Sequence, residues 1–319
     1  MDTIIGGIDI GGTKCAVVIG KVRQGEVSII DKVMYPTMPS PEDAVADFIR
    51  RLRLIMERHR ITKLDAVGIS CGGPLDSKRG LVLSPPNLPH WDRIDVISPI
   101  SSAFGAPVAL QNDANACALA EWKWGAGRGA DNMIFLTFGT GMGAGLILGG
   151  QLYSGTNDMA GEVGHIRLAP DGPIGYGKNG SFEGFCSGGG IANLARTMAR
   201  DRLAAGEAPL FCPHLGQLDG ITAKSVSEAA QQGDPLALDI YRIVGTKLGN
   251  GLAMLIDLLN PEIIVIGSIY ARQRALLEPL VMEQLRREAL PQALASCRIV
   301  PAGLGEQVGD YASLSVAHP

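Results

Sequence analysis

Two stretches of this chain share one grammar. Ile4-Ile5-Gly6-Gly7-Ile8 leads into Asp9-Ile10-Gly11-Gly12-Thr13-Lys14, and Cys15-Ala16-Val17-Val18-Ile19 leads out. Later, Met133-Ile134-Phe135-Leu136-Thr137-Phe138 leads into Gly139-Thr140-Gly141-Met142-Gly143-Ala144-Gly145, and Leu146-Ile147-Leu148 leads out. Apolar runs on either side of a glycine turn read as strand, turn, strand. Aligning Thr137 with Asp9 sets Gly139 over Gly11, so a topology is repeated although residue identity has drifted. Adjacent glycines let backbone N–H groups approach a ligand with no Cβ between. Clustered N–H groups hold anions, phosphate above all. Asp9 adds a carboxylate suited to Mg2+ through its water shell, and Thr13 and Lys14 add a hydroxyl and a positive charge. One such turn is equally an ordinary β-hairpin. Two, with an Asp and a Thr at equivalent places, suit a metal-bound nucleotide held from both sides.

The chain has 319 residues, 46% of them hydrophobic and 19% charged. That is enough for two domains with sizeable cores, and it is not a disordered composition. A net charge of −4 with no basic block argues against a nucleic-acid partner held by bulk electrostatics. The cysteines are Cys15, Cys71, Cys117, Cys186, Cys212 and Cys297. None stand at metal-ligand spacing, and several lie in apolar segments, as buried free thiols of a reducing compartment do. No signal-peptide pattern precedes the first strand. The apolar stretch near Leu252–Ile269 is broken by Asp257, Asn260, Pro261 and Glu262, so no membrane span is expected. These features predict a cytoplasmic protein.

Between the two glycine turns the pattern predicts a strand at 25–30 and a helix opening at Ser40-Pro41-Glu42-Asp43. Strands follow at 66–70 and 107–110, with a rigid loop at Ser84–Trp91 and a helix from about 113 to 124. After the second turn, residues 151–190 read as irregular. Helices are predicted at 187–200, 224–232, 235–259, 275–289 and 308–317, with strands at 263–266 and 298–300. Lys123, Arg128 and the Arg51–Arg53 pair read as solvated surface.

Asn112-Asp113 falls where a strand ends and a helix begins. Ligands of α/β folds gather at carboxyl ends of strands, so Asp113 suits a general base over a bound hydroxyl. It equally suits a plain helix N-cap. Gly161-Glu162-Val163-Gly164-His165 sets a carboxylate beside an imidazole, and Glu183 follows. With Asn87, Asn112 and Asp113, these side chains offer the mixed donors and acceptors that a polyol needs. Taken singly, each reads as a solvated loop residue, and His165 also as a structural histidine.

Together these segments resemble the ROK family (repressors, open reading frames, kinases) of the actin-like ATPase and hexokinase superfamily. The resemblance rests on Asp9–Lys14, Pro86-Asn87-Leu88, Asn112–Asn115, Gly139–Gly143, Gly161–His165 and Glu183, and spans nearly the whole chain. It implies an α/β fold of two actin-like ATPase (ribonuclease H-like) domains with a central cleft. The domains would be 1–118, completed by a helix in 305–319, and 119–304. It implies ATP on Asp9, Gly11, Gly12, Thr13, Lys14, Thr137, Gly139, Thr140, Gly141 and Gly143, with Gly267 near the adenosine and Mg2+ at Asp9. Asp113 would take the proton of a sugar hydroxyl, usually the 6-hydroxyl. Asn87, Asn112, Glu162, His165 and Glu183 would hold the sugar. The expected activity is ATP-dependent phosphorylation of a hexose or N-acetylhexosamine, by a homodimer resembling glucokinases and N-acetylmannosamine kinases. Glucose, mannose, fructose, allose, N-acetylglucosamine and N-acetylmannosamine all remain open as substrates.

Of the sequence's departures from that family, which include Gly72 where relatives tend to carry Pro, one matters most. Members usually bind zinc through this histidine and three cysteines, and here those cysteine positions are Ile174, Tyr176 and Ser181. None replaces a thiolate. No structural zinc is expected, His165 is left for the sugar, and packing of Tyr176 and Phe182 is expected to hold the loop. Ile266, where relatives often carry Gly, touches the expected adenosine contact. The alternatives are a sugar-responsive regulator of the same family and an inactive sugar-binding relative. The first strand opens at residue 4, leaving no expected helix-turn-helix before it, and both Asp9 and Asp113 are kept.

Overall fold

The computed structural model describes residues 2–317. The chain divides into two compact units, Met1–Asp131 with Gly145–Ala160 and Gly303–Pro319, and Asn132–Ala144 with Gly161–Ala302.

The first sheet begins with β1 (Thr3–Ile10), β2 (Lys14–Arg23) and β3 (Glu26–Pro36). α1 (Pro41–Arg58) follows, capped by the Ser40 hydroxyl, which accepts from the Asp43 N–H at 3.2 Å. Its stripe of Ala44, Val45, Phe48, Leu52 and Ile55 is buried in the core beneath the sheet, as the helical spacing requires. β4 (Ala66–Cys71) pairs parallel to β1. A small sheet of β5 (Leu75–Asp76), β6 (Leu81–Leu83) and β7 (Asp92–Asp95) comes next, then α2 (Ile97–Phe104). β8 (Val108–Asn112) pairs parallel to β4 and runs directly into α3 (Asp113–Trp124). The strand order is β3-β2-β1-β4-β8.

The second sheet opens with β9 (Met133–Phe138), β10 (Met142–Leu148) and β11 (Gln151–Leu152). The stretch expected to be irregular holds a hairpin of β12 (Ile174–Gly175) and β13 (Lys178–Asn179), followed by the single-turn α4 (Phe182–Phe185). Then come α5 (Gly188–Ala204), α6 (Ala223–Gln231) and α7 (Pro235–Leu259). Asp234 caps α7, and Asn260 ends it in a left-handed conformation, as a helix C-terminus favours. β14 (Ile263–Ile266), α8 (Ile269–Arg272), α9 (Arg274–Glu288), α10 (Pro291–Ser296) and β15 (Arg298–Pro301) complete the set before α11 (Val308–Ala317). The order β11-β10-β9-β14-β15 repeats that of the first sheet, with β9, β14 and β15 parallel as β1, β4 and β8 are. This is the mixed α/β architecture expected.

α11 lies on the first sheet. Cβ atoms at Gly7 and Gly68 would collide with Ser313 of that helix, so glycine is what lets the helix reach the strands. The Glu121 carboxylate, fully buried, accepts from the backbone N–H groups of Ala126 (2.8 Å), Gly303 (3.0 Å) and Leu304 (2.9 Å). It ties the end of α3 to the segment that delivers α11. Lys123 is a correction to the expected solvated surface. It is half-buried, donates to the Ser315 carbonyl at 2.9 Å, and burial lowers its pKa to about 8. Arg51 is another, with its guanidinium 3.6 Å from the Tyr35 ring centre and paired with Asp47. All six cysteines are free, five of them buried. Among the described residues, no helix is long and apolar enough to cross a membrane.

Candidate active site

In the first unit, the carboxyl ends of β1, β4 and β8 lie in register, with Asp9 beside Ser70 and Cys71 beside Asn112. The turn Gly11–Thr13 projects beyond β1, and Thr13 and Lys14 are exposed. A Cβ on Gly12 would stand 2.5 Å from the Asn87 carbonyl oxygen. The Pro86–Leu88 loop is therefore seated against the glycine turn, and the exposed Asn87 with it.

Asp9 is pushed up to about 7, first by burial and then by the Asp113 carboxylate, while a hydrogen bond with Ser70 pulls it down. Burial also raises Asp113, against hydrogen bonds from the backbone N–H of Ala114 (2.8 Å) and from its own. Two carboxyls with raised pKa values, one of them raised further by the other's charge, stand where strand ends converge, as functional sites arrange them. The helix cap falls one residue earlier than the alternative reading of Asp113 required. Asn112 caps α3 by accepting from the Asn115 N–H at 2.7 Å. Asp113 is the first helical residue, and its side chain keeps exposed surface. Asn112 is only 7% exposed, and the oxygen of its amide is already engaged.

In the second unit, the turn Gly139–Gly141 joins β9 to β10. The Thr137 hydroxyl accepts from the Gly143 N–H at 2.8 Å. A pocket of about 760 Å³ adjoins this turn, lined by Gly139, Thr140, Gly188, Tyr241, Ser268 and Arg272 among others. Thr137, Gly141, Gly143 and Gly267 do not line it. The wall nearest Gly267 is made by Ser268 and Ile269. Sequence reasoning missed other lining residues, among them Lys224, Glu228 and Gln231 of α6 and Gln273. Polar residues on a helix face carry no motif, so no signal could have singled them out.

Also in the second unit, Glu183 on α4 accepts from the Met142 N–H at 3.0 Å. The turn carrying Glu162 and His165 lies against the same strand: a Cβ on Gly164 would collide with the Met142 carbonyl and stand 3.3 Å from the Glu183 Cβ. Glu162, His165 and Glu183 are thus brought together. Ser181, where the family resemblance implies a cysteine, is fully buried, donates to the Gly175 carbonyl (3.3 Å) and accepts from the Gly184 N–H (3.0 Å). Tyr176, at another such position, sets its ring at 5.4 Å and 79° to that of His165. Ile174 is exposed, and Phe182 is buried against Gly251 of α7. Among the described residues, no three His, Cys, Asp or Glu side chains are grouped to hold a metal.

The sequence pattern of the ROK family matches residues 5–318. The chain belongs to the ROK family. A glucokinase of Streptomyces coelicolor is 37% identical over 263 residues, covering 82% of this chain and 80% of its own. A solved ROK family glucokinase from Streptomyces griseus, in complex with glucose and AMPPNP, is 34% identical with a TM-score of 0.76 over 99% of each chain. The family also contains regulators: the DNA-binding transcriptional repressor Mlc of Escherichia coli is 30% identical over 74% of this chain and 56% of its own.

Proposed function

We propose that this ROK protein is an ATP-dependent sugar kinase that phosphorylates a hexose or N-acetylhexosamine at its 6-hydroxyl. The observation that carries the reading is the convergence of the Gly11–Thr13 turn, Asp9 and Asp113 at the carboxyl ends of β1, β4 and β8. Asp113 is the general base. It accepts the proton of the sugar hydroxyl while that oxygen forms a bond to the γ-phosphorus and the bond to ADP breaks. A raised carboxyl pKa suits that task, because proton transfer is best driven when base and operating pH are close. Phosphoryl transfer otherwise asks for positioning and charge neutralisation. Backbone N–H groups of both glycine turns answer that need at the phosphates, and the pocket beside Gly139 suits the nucleoside. Asn87, Asn112, Glu162, His165 and Glu183 hold the sugar hydroxyls, Asn112 through its amide NH2.

The residues fit a divalent cation. Asp9 is a half-buried carboxyl under a like-charged neighbour, and a hard cation relieves that repulsion. Asp9 would hold Mg2+ through its water shell, and the ion would neutralise phosphate charge. No structural zinc is proposed, so elemental analysis of purified protein should find none at stoichiometric level.

A coupled ADP-release assay over the six-sugar panel, run beside Asp113→Asn, tests the reading. One or more sugars should stimulate ADP release by the wild type and not by the variant. If no sugar does, the chain is a binding protein or a regulator.

A further inference from the structure

The tip of the β12–β13 hairpin contradicts its own backbone. Gly175 pairs with Lys178, leaving Tyr176 and Gly177 as a two-residue turn with φ of 45° and 73°. Two successive positive φ values are the signature of the tight hairpin turn that Asn-Gly fills best. A bulky aromatic residue in the left-handed region is an outlier there. Burial does not repay that strain, because Tyr176 is 67% exposed. The contact its ring makes is the edge-on one to the exposed ring of His165. From the other arm of the hairpin, the Lys178 ammonium donates to the His165 carbonyl at 2.6 Å. The hairpin thus grips one residue from two sides, by the imidazole and by the backbone.

We propose that Tyr176 is a positioning residue: it fixes the His165 imidazole in the orientation that binds the sugar. The inference rests on the reading of His165 as a sugar ligand given above. An edge-on aromatic contact restricts ring rotation without using either imidazole nitrogen, so both stay available for substrate hydroxyls. The strained turn persists because the ring is needed there, a pattern common at ligand clamps.

The test separates turn from ring. Tyr176→Asn gives the turn its preferred residue and removes the ring, while Tyr176→Phe keeps the ring. The Asn variant should hold or raise the melting temperature while KM for the preferred sugar rises about three- to tenfold, the range an aromatic pair supplies. Its KM for ATP and its kcat should stay within about twofold of wild type. The Phe variant should match wild type in every parameter. On a His165→Ala background, Tyr176→Asn should add no further rise, since the two side chains act as one unit. If His165→Ala raises the sugar KM and Tyr176→Asn does not, the positioning role is wrong while the reading of His165 stands. If His165→Ala leaves the sugar KM unchanged, that reading falls and takes this inference with it. A lower melting temperature for Tyr176→Asn, with sugar and ATP KM values rising alike, overturns the proposal in favour of a plain structural role.

Discussion

The two glycine hairpins are built alike and finished differently. β1 ends at Ile10 and β2 starts at Lys14; β9 ends at Phe138 and β10 starts at Met142. The connections are equal in length, and the sheets behind them have the same strand order. The difference lies two residues before the first glycine. Thr137 satisfies itself locally, its hydroxyl closed onto the backbone of Gly143. Asp9 carries a charge that burial and Asp113 both oppose. One turn closes a hydroxyl onto its own backbone, and the other holds a carboxyl in an environment that opposes its charge. A repeated fold thus sets two electrostatic environments by changing one side chain.

That contrast can be broken or sharpened by substitution. The largest effect is expected at Asp113→Asn, which should lower kcat by roughly 10²- to 10⁴-fold, the range of a lost general base. A loss of only a few-fold would put the chemistry outside the first unit and dissolve the contrast. Next is Glu121→Ala, which strands the three backbone N–H groups that close the first unit. Denaturant unfolding should show a loss of about 3 kcal/mol. Asp9→Asn should cost about tenfold to hundredfold in kcat, order of magnitude, with a raised Mg2+ requirement. Thr137→Ala should cost about 1 kcal/mol of stability, one hydrogen bond, and leave the Mg2+ requirement unchanged. If the two variants behave alike, the turns are equivalent after all. The smallest effect concerns Lys123 of the first unit. Its pKa falls from 10.5 to about 8 on folding, so between those values the unfolded chain binds the more protons. Stability then rises with pH across that window. The rise should vanish in Lys123→Met when melting temperatures are followed from pH 7.5 to 10.

Much of this was legible from residues alone. Both hairpins, the Ser40-capped α1 and α7 between Pro235 and Asn260 announce themselves through period, caps and breakers. The strands β5 to β7 do not, since two to four residues between glycines and prolines show no alternation. Asn112 and Asp113 are both good cap residues, and only the backbone decides that the first caps and the second opens the helix. Lys123 looked solvated because a long stem conceals where its ammonium ends. The α6 residues lining the pocket beside Gly139 are brought there by tertiary packing, which one sequence does not display.

The seating of α11 on β1 and β4 bears on how the protein is made. Synthesis runs from the N-terminal side, so β1 leaves the ribosome before the second unit and residues 308–317 follow all of it. The patch over Gly7 and Gly68 stays open through that interval. The second unit has its full sequence in hand sooner, and a nascent chain completes its domains in the order their last residues appear. The unit whose strands are made first is therefore the last to close, and those strands are the stretch most in need of shelter meanwhile.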